Sequence, residues 1–230
     1  MQTPAEKYLI DKVVELSKEK GGDFSNLQML NVGAGKSLVL EKGIQAGLNS
    51  TEFTFDRMDV IDCQVDHPGA GECFIASAES MPAIESGKYE VAYANYVLEH
   101  VEKLDAAASE IARVLKSDGY FITSLPNPRA PEFVLSKYTP TKFHQAIKGE
   151  GEGSHAHETH YAYKNIKEFV TVFEKYFTTV EVKLWSFTYG YLHRFPVIKY
   201  ISKAYDATVN FLRIKPLMGN VCLIFKKTST

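Results

Sequence analysis

Leu30-Asn31-Val32-Gly33-Ala34-Gly35-Lys36-Ser37 is the stretch on which the fold turns. Leu27 to Val32 is a short apolar run that stops at two glycines one residue apart. Ser37 to Ala46 then reads as a helix, with Gly47 near its end. A strand, a turn of small residues and a helix, in that order, let a ligand approach the backbone closely and meet the free N–H groups of a helix start. Gly35-Lys36-Ser37 looks like the end of a nucleoside triphosphate loop, but that loop needs a glycine at position 30, where Leu30 stands. A dinucleotide loop needs a third glycine at position 38, where Leu38 stands. The remaining readings of the loop by itself are another ligand or a tight turn that binds nothing.

The flanking sequence alternates strand and helix. On the N-terminal side, Leu9, Val13 and Leu16 have helical spacing, and Gly21-Gly22 stops that helix. On the C-terminal side, Phe53 to Ile61 is a strand, Glu72 to Ala76 a weaker one, and Tyr89 to Asn95 a third. Lys103 to Leu115 is an amphipathic helix with Leu104, Ala107, Ala108, Ile111 and Leu115 on one face. Asp118-Gly119 breaks it before the strand Tyr120 to Leu125. This order predicts an α/β protein with a mostly parallel sheet covered on both faces. Residues 126–160 read as loops with short helices, Lys164 to Tyr176 as a helix, and Thr178 to Trp185 with Asn220 to Lys226 as a final strand pair.

Five segments, in order, resemble class I S-adenosylmethionine-dependent methyltransferases of the small-molecule type (methyltransferase type 11-like). They are Leu30 to Gly35, Phe55 to Val60, Ala76 to Pro82, Tyr89 to Val101 and Ile111 to Tyr120. The resemblance covers residues 27–127 well and weakens beyond. It implies a Rossmann-like seven-stranded sheet of order 3-2-1-4-5-7-6 with the last strand antiparallel, helices on both faces and a small cap over the acceptor site. It also implies S-adenosyl-L-methionine as cofactor, touching Asn31, Gly33, Ala34, Gly35, Asp59, Ala78, Glu79 and Asn95. Asp59 is the acid expected to hold the ribose, since one carboxylate can accept from both hydroxyls of a cis diol; Asp62 is its alternate. Asn31 stands where the family often has an acid, and Ser77 where it usually has Asp.

Methyl transfer is an in-line displacement that needs alignment and exclusion of water, so no catalytic triad need be present. His100, just past the Tyr89 to Asn95 strand, is a candidate to orient or deprotonate the acceptor; the alternative is a half-buried packing residue. His155-Ala156-His157-Glu158-Thr159-His160 reads as a metal site, a solvated loop or an active-site lid. No metal is expected, and His160 is the second catalytic candidate. Trp185 to Met218 mixes aromatic and basic residues, and is either helical packing, an acceptor pocket or an interfacial helix at a membrane.

At 230 residues with 45% hydrophobic side chains, the chain suffices for one methyltransferase domain. A cofactor-binding half over 22–127 and an acceptor-side half over 128–218, with cap or lid insertions, divide it. A formal net charge of −2 gives no global field for nucleic acid, so no nucleic-acid partner is expected. The acceptor is expected to be a small molecule, a sugar or a lipid-like compound methylated on oxygen or nitrogen. The alternative is a non-catalytic cofactor-binding or regulatory protein on the same fold. Val221 to Phe225 is too short to span a bilayer, and Met1 to Ile10 does not read as a signal peptide. Cys63, Cys73 and Cys222 are scattered and odd in number and read as neither a disulfide framework nor a CxxC pair, so a reducing cytoplasm is the expected compartment.

Overall fold

The computed structural model describes residues 2–19, 27–50, 53–136 and 162–228. Its seven strands are β1 (Gln28–Val32), β2 (Thr54–Asp59), β3 (Ala70–Ile75), β4 (Tyr89–Asn95), β5 (Leu115–Pro126), β6 (Phe177–Trp185) and β7 (Asn220–Lys227). They form one sheet of order β3-β2-β1-β4-β5-β7-β6. β7 runs antiparallel to both β5 and β6, and the other pairings are parallel. The helices are α1 (Pro4–Glu19), α2 (Val39–Leu48), α3 (Leu104–Val114), α4 (Pro131–Ser136), α5 (Ile166–Phe173), α6 (Thr188–Leu192) and α7 (Ile198–Leu212). This is the Rossmann-like methyltransferase fold.

Alternating side chains on the central strands divide the core in two. Met29, Phe55, Val91 and Tyr93 face α1 and α2. Leu30, Val32, Ala92 and Ala94 face α3 and α5. α1 lies close on α2 because Gly43 and Gly47 leave room: a Cβ there would come within 2.8 Å of Ile10 and 2.6 Å of Val14. On the other face Phe173 stacks on Phe169, Phe225 and Phe121, with ring centroids 4.6, 4.9 and 5.6 Å apart. Asn165 caps α5 by accepting from Glu168 N at 3.0 Å.

Two sequence expectations are corrected. Asp118-Gly119 does not separate a helix from a strand. β5 begins at Leu115, directly after α3, and Asp118 (φ +60°) lies within it where the pairing to β4 shifts register. Cys63 and Cys73 form a disulfide, with Cα atoms 5.9 Å apart. They lie ten residues apart in sequence, on the β2–β3 crossing and on β3, and become neighbours because residues 60–69 return without a helix. Among the described residues, no helix is long and apolar enough to cross a membrane.

Candidate functional site

The strand order reverses direction between β1 and β4, the switch point at which parallel sheets open a crevice beyond their carboxyl ends. The glycine loop follows β1 at that point. Gly33 (φ +72°) and Gly35 (φ +54°) both take backbone conformations that L side chains rarely adopt. Gly33 N and Ala34 N donate to Met58 O at 2.7 and 3.1 Å, tying the loop to the end of β2. A Cβ on Gly33 would overlap the Val97 side chain, so this glycine is where the turn after β4 closes on the loop. A Cβ on Gly35 would meet nothing within 4 Å. The open side of the loop is at Gly35.

Asp59 stands beside that opening. Its carboxylate accepts from Gly35 N at 2.8 Å and Ile61 N at 3.2 Å, fixing it at the rim while leaving it partly exposed. Asp62 is three residues further on and pairs with Lys36 Nζ at 2.7 Å, both side chains exposed. The Lys36 hydrogen bond holds the Asp62 carboxyl below its ordinary value. Gly33, Ala34, Gly35 and Asp59 are thus brought together.

Beneath the loop lies a buried polar network that motif reading missed. Arg57 on β2 is ion-paired with Glu41 of α2, both almost fully buried. Its Nη2 donates to Ala34 O, Gly35 O and Ser37 O at 3.0, 3.1 and 2.9 Å, and its Nε to Cys63 O at 3.1 Å. One guanidinium thus gathers the carbonyls of the glycine loop and of the loop after β2. Asn31 joins the network, donating to Glu41 Oε1 at 2.7 Å, and faces α2 rather than the rim. The available signal was a charged pair, Asp56-Arg57, within a strand of a parallel sheet, where an apolar run is usual.

A second polar cluster sits at the ends of β4, β5 and β7. Tyr96, directly after β4, has φ +55°, uncommon for a side-chain-bearing residue. Its hydroxyl donates to Asn220 Oδ1 at 2.6 Å, and burial pushes its pKa well above the ordinary phenol value, so it remains a donor. Asn95 accepts from Ser124 Oγ and donates to Glu6 Oε2 at 3.3 Å. His100 lies in the following turn, half-buried, its backbone N donating to Val97 O at 2.9 Å. Ala78 is buried in the core, and Glu79 Oε1 accepts from Glu102 N and Lys103 N, capping the approach to α3. His160 and the rest of the His155 to His160 run lie outside the described residues. Among the described residues, no cluster of three or more His, Cys, Asp and Glu side chains could hold a metal.

Residues 30–123 match the family model described as a methyltransferase domain. Together with the sheet order and the glycine loop, this makes the chain similar to class I S-adenosylmethionine-dependent methyltransferases. No curated protein matches the sequence. The fold is similar to geranyl diphosphate C-methyltransferase from Streptomyces coelicolor A3(2), with a TM-score of 0.57 and 15% identity over 94% of this chain and 77% of that one. It is also similar to the [4+2]-cyclase SpnF, with a TM-score of 0.56 and 15% identity over 96% and 82%. Phosphoethanolamine N-methyltransferase 2 from Haemonchus contortus gives a TM-score of 0.55 and 12% identity over 95% and 53%.

Proposed function

We propose that the protein is an S-adenosylmethionine-dependent methyltransferase acting on oxygen or nitrogen of a small, sugar or lipid-like acceptor. The observation that carries this reading is the pairing of Gly35, open on its outer side, with the Asp59 carboxylate that accepts its N–H. That arrangement suits an adenosyl group: the backbone permits close approach, and the carboxylate has lone pairs left for a cis diol. Gly33 and Ala34 act through the turn they build, since their amides are already engaged by Met58. Asn31 supports the loop from beneath through Glu41.

The cofactor supplies an already activated methyl group. The chain's part is to hold the acceptor in line and dry. At the same rim Tyr96 donates to Asn220 and Asn95 accepts from Ser124, and these residues are the proposed acceptor side of the crevice. His100, and His160 beyond the described residues, are the groups proposed to orient the acceptor or take its proton. Residues 128–218 are the proposed acceptor-side half.

A second reading is a cofactor-binding protein on this fold that transfers no methyl group. The inward-turned Asn31 favours it, and SpnF, named as a cyclase, has the same fold. Calorimetric titration of S-adenosylhomocysteine into wild type and Asp59→Ala tests the shared site. The variant should bind more weakly by about 1–3 kcal/mol through loss of charge-assisted hydrogen bonds. Equal affinity would remove Asp59 from the site. Release of S-adenosylhomocysteine from the methyl donor in the presence of an acceptor extract separates the enzyme from the second reading.

A further inference from the structure

α7 is built the wrong way round for a helix facing water. Of its three buried residues, Ser202 and Asp206 are polar and Val209 apolar, and Asp206 accepts from Ser186 Oγ, Thr188 N, Thr188 Oγ1 and Tyr189 N at 2.7, 2.9, 2.6 and 2.7 Å. Asn210 exchanges hydrogen bonds with Ser186 N and O at 2.8 and 3.0 Å. These contacts lock the helix against the end of β6. Its outer side is apolar: Val197 is 72% exposed, Ile201 64%, Tyr200 68%, Phe211 86% and Leu212 59%. Val197, Ile201, Ala204, Thr208 and Phe211 recur at helical spacing and share one face. A soluble surface helix does the reverse, and exposed apolar stripes of this kind mark interaction surfaces.

The charge on this segment identifies the partner. Residues 187–217 contain five cations, Arg194, Lys199, Lys203, Arg213 and Lys215, and one acid, the buried Asp206. The segment is therefore +4 in a chain of formal net charge −2, which leaves −6 on the rest. Arg194, Lys203, Arg213 and Lys215 form no ion pair among the described residues, and all four are exposed. Cations flanking an exposed apolar face suit an anionic lipid surface, which takes the apolar side chains into its headgroup boundary and neutralises the charge. A second copy of the chain would set five cations against five.

We propose that α7 and its flanks dock the protein on an anionic phospholipid bilayer. β6 runs parallel to β4 and β5, so α6 and α7 leave the sheet at the rim that carries Asn95 and Tyr96, and the chain returns there at Asn220. Docking would turn that rim towards the lipid, and this consequence for the acceptor rests on the methyltransferase reading. The docking itself does not.

The test is co-sedimentation of the full chain with vesicles of phosphatidylcholine alone and of phosphatidylcholine mixed equally with phosphatidylglycerol. Binding to the mixed vesicles should be at least about tenfold stronger, and should weaken in high salt. Ile201→Ser with Phe211→Ser, and separately Lys203→Glu with Lys215→Glu, should each lower it about tenfold. All four side chains are exposed, and the thermal shift with S-adenosylhomocysteine should be unchanged in both variants. An unchanged shift with lost vesicle binding separates the docking surface from the cofactor site. No preference for anionic vesicles, or a dimer by light scattering that Phe211→Ser dissolves, overturns the proposal.

Discussion

Gly33 and Gly35 share a left-handed backbone but differ in what surrounds them. Gly33→Ala meets both the φ of +72° and the Val97 side chain, so it should destabilise the fold by about 2 kcal/mol or more. Gly35→Ala meets only the φ of +54° and should cost about 1 kcal/mol, while placing a methyl group on the side of the loop proposed to receive the adenosyl group. Urea unfolding and calorimetric titration together should separate the two: one variant loses stability, the other affinity. Arg57→Leu should cost about 3–5 kcal/mol, because it strands Glu41 as an unpaired buried charge. Arg57→Leu with Glu41→Leu should recover a large part of that loss in the same unfolding assay. The meeting of the glycine loop with Asp59 was legible in the sequence because each directly follows or ends a strand of the parallel sheet. Arg57 and Glu41 were not, because sixteen residues separate them and only the folding of α2 over β2 joins them.

Among the elements, those with strong periodicity were read almost to their ends. Lys103 to Leu115 was expected as a helix, and α3 spans Leu104–Val114. β5 was expected to begin at Tyr120 and begins at Leu115, because the strand absorbs Asp118-Gly119 as an irregularity and turn residues in sequence do not show whether a strand resumes across them. The Cys63–Cys73 bond was missed for a related reason: the spacing matches no motif, and only the helix-free crossing from β2 to β3 brings the two together. α3 also offers a test against pH. Glu110 accepts from Arg113 Nε at 2.8 Å and Met81 N at 2.7 Å, and the Arg113 hydrogen bond holds its carboxyl below the ordinary carboxylate value. A depressed carboxyl contributes stability above the ordinary value and loses it as pH falls through the folded one. Glu110→Gln should therefore lower the thermal midpoint at neutral pH, and the gap from wild type should close in acid. A gap that is constant with pH would mean that the ion pair contributes nothing.

At the scale of the molecule, the order β3-β2-β1-β4-β5-β7-β6 puts every rim feature at one end of the sheet: the glycine loop, Asp59, the Asn95–Tyr96 turn, Asn220 and the root of α6. The two sides of that rim have different characters. The β1 and β2 side is closed from beneath by the Arg57 network, which suits a ligand bound in one fixed pose. The β6 and β7 side continues into α6 and α7, and the outer face of α7 is exposed and apolar. Sheet order was legible because it follows from the resemblance of five ordered segments. The inverted polarity of α7 was not, because its apolar and basic residues read equally well as packing until Asp206 and Asn210 were seen to take the inner side.

The most direct measurement is a thermal-shift scan of the full chain with S-adenosylmethionine, S-adenosylhomocysteine, ATP and NAD, each at millimolar concentration. A ligand at about 100 times its Kd adds about 2.7 kcal/mol. For a chain of this length that corresponds to a rise of roughly 5–10 °C. The rise should come with the two S-adenosyl compounds and be absent with ATP and NAD. A rise with ATP or NAD in their place, or with none of the four, would contradict the assignment of the β1–β2 rim as an S-adenosylmethionine site.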